Sequence, residues 1–314
     1  MTQASYAYYP GCSLHASAQE YDASWRAVCE QLGIQLSEMD DWNCCGTVHA
    51  TTVDRTMSVA LAARNLAIAD EMELDVIAPC SGCYKNLRTA DEALRRDEGL
   101  LHQVNTSLAH PLRSPEPASE RGLDPGGPGR GTRFKASVLH PLYVIAGSDA
   151  ALQELGLSDP GAVPRPLHGL KAAPYYGCVL TRPAAAVPLD DPEDPQSLDR
   201  LLTALGADVV PFDAKTKCCG GAVLVSHNDV SLELSGRVLQ EAKEAGAECL
   251  VVACPMCQMA LDAYQSKIER QMGEQINLPV LYFTQLMGLA LGLDERRLGL
   301  GRLFVSPSRV LSQV

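Results

Sequence analysis

Ten of the twelve cysteines in this 314-residue chain fall into a pattern that occurs twice. Cys12 is followed after 31 residues by the pair Cys44-Cys45, and after 34 more by Cys80 and Cys83. Cys178 is followed after 39 residues by Cys218-Cys219, and after 34 again by Cys254 and Cys257. Both adjacent pairs precede a glycine, and both closing pairs are C-x-x-C, a spacing that suits soft-metal ligation or thiol redox chemistry. The flanks repeat as well, with YYPGC ending at Cys12 and YYGC at Cys178. The chain reads as two copies of a domain-sized unit, expected at residues 1–150 and 151–314, rather than as a short-period solenoid.

Five thiols per copy is an unusual number. A structural zinc site takes four ligands, and so does an ordinary cubane [4Fe–4S] cluster. Side chains on adjacent residues such as Cys44 and Cys45 diverge, so both reach one small centre most easily by binding different metals within it. A bridging thiolate or an open, distorted cluster would use all five. The competing reading is a four-cysteine zinc site with one idle thiol. The ferredoxin spacing C-x2-C-x2-C-x3-C-P is absent, and there is neither a G-x-G-x-x-G after a strand nor a P-loop.

The elements that must hold these cysteines alternate between short apolar runs and helical periodicity, which predicts α/β units. Strands are expected at Tyr6–Tyr9, Leu74–Ala78, Ala173–Tyr176, Asp208–Phe212 and Cys249–Ala253, and helices at Ala16–Leu32, Thr56–Glu73, Leu198–Leu205 and Leu232–Ala245. The motif cysteines then lie just after strands or at helix starts, the edge at which open α/β sheets bind ligands. A helix following Cys83 or Cys257 would favour their thiolates. Pro111–Gly131, with five prolines and five glycines, is expected to be a mobile loop, and the Pro-rich, acidic Pro183–Pro195 accounts for the longer interval before Cys218.

Composition bounds the partners. Twenty-six basic against thirty-eight acidic residues leave a formal charge of −12, which argues against nucleic acid. The first twenty residues lack the basic and apolar regions of an export signal, and Leu278–Leu293, broken by Thr284 and Gln285, falls short of the roughly 20 residues of a membrane span. The expected setting is cytoplasmic, with no membrane span.

The segments YYPGCSLHASAQEYDASWRAV, DWNCCGTV, VIAPCSGCYKNL, DDPEDPQSLDRLLTALGADVV, KTKCCGGA, CPMCQMAL and PVLYFTQLMGLALGL together resemble the B subunit of heterodisulfide reductase and its relatives, proteins with two CCG domains. The resemblance implies two pseudo-symmetric Rossmann-like CCG domains facing a shared cleft. It also implies two non-cubane [4Fe–4S] clusters, one held by Cys12, Cys44, Cys45, Cys80 and Cys83, the other by Cys178, Cys218, Cys219, Cys254 and Cys257. In the family such clusters reductively cleave a disulfide, with electrons from an iron–sulfur C subunit and a flavin-bearing A subunit. The Pro111–Gly131 loop departs from the family pattern, as does Val179, where the reductases carry a histidine. Similar proteins of sulfur-oxidising bacteria point instead to thiol, sulfane sulfur or protein-bound lipoyl as substrate. The related CCG proteins of fumarate, lactate and glycolate oxidation fuse or recruit redox modules absent from this chain. Two rival roles remain: a non-catalytic electron relay and a zinc-stapled assembly scaffold.

Other residues have a plainer reading beside the functional one. Cys29 and Cys249 lie in apolar contexts and read as core. His15, three residues after Cys12, and Lys217, just before the second CCG, could assist a thiolate product or an anionic substrate, but solvated roles compete. Lys215 is an equivalent surface cation, and His49 and His227 follow the CCG motifs at unequal offsets. His140 reads as a helix-terminal residue, Asp190, Asp191, Glu193 and Asp194 as a solvated loop, and Val280–Leu291 as a core helix.

Overall fold

The computed structural model describes residues 4–112, 136–187 and 190–313. The expected loop at Pro111–Gly131 lies, beyond Leu112, outside the described residues. Two four-stranded sheets carry the chain, every pairing parallel. The first contains β1 (Ser5–Tyr8), β2 (Gln35–Glu38), β3 (Val76–Ile77) and β4 (Val138–Leu139) in the order β2-β1-β3-β4. The second contains β5 (Lys171–Tyr175), β6 (Asp208–Val209), β7 (Cys249–Val252) and β8 (Val280–Tyr282) in the equivalent order β6-β5-β7-β8. In both, the strand order reverses between the first and third strands, which opens a crevice beyond their carboxyl ends.

Along the first half run helices α1 (Gly11–His15), α2 (Gln19–Leu32), α3 (Ala50–Val53), α4 (Arg55–Met72), α5 (Ser81–Arg96), α6 (Glu98–Asn105), α7 (Pro141–Ala146) and α8 (Asp149–Glu154). The second half adds α9 (Ser197–Ala204), α10 (Asn228–Glu244), α11 (Pro255–Gln258), α12 (Gln265–Met272), α13 (Phe283–Ala290) and α14 (Ser308–Leu311). Local chemistry sets several boundaries. The Asp54 carboxylate accepts the Met57 N–H at 2.6 Å and starts α4, while Gly33 at φ +71° closes α2 by donating to the carbonyls of Cys29 and Glu30.

All five expected strands form, and three further strands escaped the sequence. β2 is the four-residue edge segment QLSE, three of whose residues are exposed, so it carries no buried alternation. β4 has two residues, and β8 has three, taken from the stretch read as a single core helix. That stretch is strand and then α13, buried throughout from Val280 to Ala290. The helices of the C-x-x-C motifs begin before the second cysteine: Ser81 opens α5 and Pro255 opens α11, which puts Cys80 and Cys254 at the N-caps.

One continuous apolar core joins the halves. Tyr21, Ser24, Trp25 and Val28 share the face of α2 that packs towards α13. There Ser24 Oγ lies 2.7 Å from Thr284 Oγ1, and the Tyr21 and Tyr282 rings stack 4.2 Å apart. The C-terminal segment returns over α2, where Arg302 Nη1 donates to Gln19 Oε1 at 2.8 Å. A buried joint of this kind holds the two sheet edges at a fixed separation.

Candidate metal-cluster site

Six strand-end loops converge between the halves. Nine of the ten repeat cysteines line one cavity that opens to solvent; Cys44 is the exception. Cys12 and Cys178 follow β1 and β5 across glycines with left-handed backbone, Gly11 at φ +67° and Gly177 at φ +66°. A Cβ at Gly11 would fall 2.9 Å from Cys83 Sγ, and one at Gly177 would fall 3.1 Å from Cys257 Sγ. Only glycine lets the first cysteine loop approach the C-x-x-C this closely.

Each CCG turn divides its two thiols. Cys45 and Cys219 are buried, with Sγ 3.4 Å from Cys83 Sγ and Cys257 Sγ respectively, whereas Cys44 and Cys218 are exposed. Cys44 Sγ lies 3.9 Å from Cys12 Sγ. All twelve cysteines are free thiols, and these separations far exceed the S–S bond length of about 2.05 Å. The adjacent pair therefore reaches the thiol cluster from two sides.

The thiols polarise one another. Hydrogen bonding with Cys44, and next with Cys83, pulls Cys45 down to about 3, while the pairing with Cys45 pushes Cys44 up. In the second half Cys218 falls to about 6 through Cys178, and Cys254 to about 7 through Cys257 and the first N–H groups of α11. Cys83 and Cys257, buried and hydrogen-bonded with Cys45 and Cys219, rise well above the ordinary thiol value. Thiolate is thus favoured at Cys45, Cys218 and Cys254, the form in which cysteine ligates a metal. Among the described residues no three His, Cys, Asp or Glu side chains converge as the ligands of a single ion. The five-thiol sets, the helix N-termini and the glycine clearances fit a larger thiolate-held group.

Two tyrosines hold the CCG turns, and the sequence showed them only as repeated flanks. Tyr9 Oη donates to the carbonyl of Asn43, which precedes Cys44, and Tyr175 Oη to the carbonyl of Lys217, which precedes Cys218, both at 2.7 Å. Asn86, one turn after Cys83, donates to the carbonyls of Cys45 at 3.1 Å and Thr47 at 2.6 Å; its spacing carried no signal. Ser235 Oγ supports Cys219 O at 2.7 Å. Replacing Tyr9 or Tyr175 by Phe should cost about 0.5–1.5 kcal/mol for the lost hydrogen bond and lower metal loading in the same half. Thermal unfolding and iron content measure this, and a Tyr9→Phe protein with unchanged loading and stability would show that the clamp is idle.

The remaining sequence candidates sit apart from the cavity. His15 Nε2 pairs with Glu38 Oε1 at 3.0 Å and rests edge-on against Trp42, and Lys217 Nζ pairs with Glu241 at 3.3 Å; neither lines the space. Lys215 reaches Asp194 and the carbonyl of Pro195. His227 Nδ1 meets Ser226, and His49 Nδ1 meets the Oγ1 of the cavity residue Thr47 at 3.0 Å. His140 is the N-cap of α7, fully buried, with Nε2 2.9 Å from Pro79 O beneath the first C-x-x-C, and burial lowers it to about 4. Asp190 accepts Ser197 Oγ–H and caps the loop onto α9, so it does more than face solvent.

Cys29 and Cys249 are 2% and 0% exposed and lie in the core, where burial raises both, Cys249 to about 12. Their replacement by Ala should leave iron content intact and cost roughly 1–2 kcal/mol of packing. A Cys29→Ala protein that loses its metal would remove the repeat as the basis for the ligand sets.

The cysteine-rich domain family CCG matches residues 6–88 and 172–262, which together contain all ten repeat cysteines. The chain belongs to this family. It is 33% identical over 308 residues to the 8-methylmenaquinol:fumarate reductase membrane anchor subunit of Wolinella succinogenes, covering 98% of this chain and 99% of that one. It is 30% identical to the B subunit of the ferredoxin:CoB-CoM heterodisulfide reductase of Methanosarcina mazei, over 97% of this chain and 95% of the relative. A protein of Archaeoglobus profundus that resembles the heterodisulfide reductase B subunit is 27% identical over 93% of this chain and 92% of its own length. In fold, a crystal structure of a hypothetical protein from Helicobacter pylori superposes with TM-score 0.74 at 14% identity, over 98% of this chain; the chain spans 52% of that protein.

Membership supports a redox subunit of iron–sulfur type that works within a complex. The fumarate reductase relative matches end to end, so the missing redox modules do not separate this chain from that branch. No helix among the described residues is long and apolar enough to cross a membrane.

Proposed function

We propose that this chain is the sulfur-handling subunit of an oxidoreductase complex, reducing a disulfide or oxidising a thiol in the cavity between its halves. The observation that carries this reading is the convergence of nine repeat cysteines on that one space. Cys12, Cys44, Cys45, Cys80 and Cys83 would hold one non-cubane [4Fe–4S] cluster, and Cys178, Cys218, Cys219, Cys254 and Cys257 the other. When bound, such clusters supply single electrons and irons open to sulfur.

The chain's own residues set the conditions. N–H groups at the start of α11 help to favour the thiolate of Cys254. Val48, Val179, Leu180 and Met256 make the lining water-poor, and Thr47 offers a hydroxyl hydrogen-bonded to the exposed imidazole of His49. Cleavage of one disulfide consumes two electrons and two protons and gives two thiols. Electrons would come from partner subunits of the iron–sulfur C type and the flavin-bearing A type; thiol oxidation is the same balance reversed.

A second reading, an electron relay in a quinol-linked complex, is favoured by the 33% identity to the fumarate reductase subunit. Anaerobically purified protein should contain iron and sulfide near eight each, the content of two four-iron clusters. Its spectra should change on adding a thiol or disulfide. Spectra indifferent to both favour the relay, and zinc with negligible sulfide favours an assembly scaffold.

A further inference from the structure

Apart from its cysteines, the cavity presents two kinds of side chain. Val48, Val179, Leu180 and Met256 are apolar, Ser13 and Thr47 bring hydroxyls, and the hydroxyls of Ser81 and Tyr176 are bonded to Ala253 O and the Asp199 carboxylate. Among the described residues no Asp, Glu, Lys, Arg or His lines it. Of the nearby cations, Lys217 pairs with Glu241, Lys85 Nζ meets Asn86 Oδ1 at 2.9 Å and Arg88 Nε meets the carbonyl of Ala186 at 3.1 Å, and none of the three is a lining residue.

An anion entering this space would exchange its hydration for hydrocarbon and thiol walls with no cationic side chain among the lining residues described. It would also approach a chain of formal charge −12. A ligand uncharged around its sulfur atoms avoids both costs. Specificity of this kind comes from the penalty on the wrong ligand rather than from a contact to the right one.

We infer that the cavity takes a thiol or disulfide whose groups next to sulfur are uncharged, and that it discriminates against anionic ones. This rests on the sulfur reading of the site proposed above. It sets the chain apart from an enzyme that uses cationic side chains at its lining to hold a sulfonate, phosphate or carboxylate close to the reacting sulfur.

The test uses the cluster-loaded full chain under anaerobic conditions and two disulfides of equal backbone length: bis(2-hydroxyethyl) disulfide and its bis-sulfonate counterpart. Binding is read by calorimetry and by the change in the electron paramagnetic resonance spectrum. The hydroxyl compound should bind at least about tenfold more tightly than the sulfonate. Val179→Lys and, from the other half, Val48→Lys each place a cation at the lining and should bring that ratio towards unity. Iron content identifies which variants have folded and loaded, and the wild-type ratio stands without them. Equal or tighter binding of the sulfonate by the wild-type chain overturns the inference while leaving the sulfur reading intact. If neither disulfide binds, the sulfur reading itself fails and the inference with it.

Discussion

Cys45→Ser and Cys219→Ser should each remove about half of the iron and abolish two-electron turnover, although the other half remains loaded. Each replaced thiol is the buried member of its CCG pair and lies 3.4 Å from the second cysteine of its C-x-x-C. Serine keeps the shape but is a poor ligand for a soft metal. The two half-sites open on the same cavity, so a substrate there is in reach of both. Splitting the two electrons between two centres would avoid a free sulfur radical. Iron, sulfide and turnover measured on the same samples decide the matter. A variant with half the iron and near-full activity would show that one cluster only stores electrons, and a variant that loses all its iron would show that the half-sites do not assemble independently.

Gly11→Val and Gly177→Val should empty their own half-sites although all ten cysteines remain. At each position the backbone is left-handed, which costs a β-branched residue roughly 1–2 kcal/mol. The larger penalty is contact: the added carbon would press on Cys83 Sγ or Cys257 Sγ from 2.9 and 3.1 Å. Backbone or thiol must shift, and a five-ligand set displaced by a few tenths of an ångström no longer closes on its centre. Gly33→Val is the control, because Gly33 has φ +71° yet nothing within 4 Å of its added Cβ. It should lose stability and keep its iron. If Gly11→Val retains full iron, the close approach of the first cysteine loop has no bearing on loading.

Covalent spacing alone disclosed the duplication, the ten-cysteine sets and the α/β alternation. A repeated spacing of 34 residues from CCG to C-x-x-C leaves room for one helix and one strand, and α4 with β3 in the first half and α10 with β7 in the second fill it. β7 was legible because it is buried on both faces, as its four apolar residues show. The exposed edge strand β2 and the two-residue β4 left no such trace, since their pairing is fixed by neighbouring strands and not by their own side chains.

Directions in space were decided by the tertiary structure. From sequence His15 and Lys217 looked as near the chemistry as Thr47 or Val179, being one to three residues from a motif cysteine. In the fold both side chains turn to carboxylates outside the cavity, while Thr47 and Val179 line it. Tyr9 and Tyr175 read as repeat flanks until the parallel strands brought their hydroxyls to carbonyls 34 and 42 residues away. The chain fixes which residue types each loop carries. The joint between α2 and α13 fixes that the two sets of loops face each other, because a contact such as Ser24 with Thr284 spans 260 residues and depends on both sheets having formed.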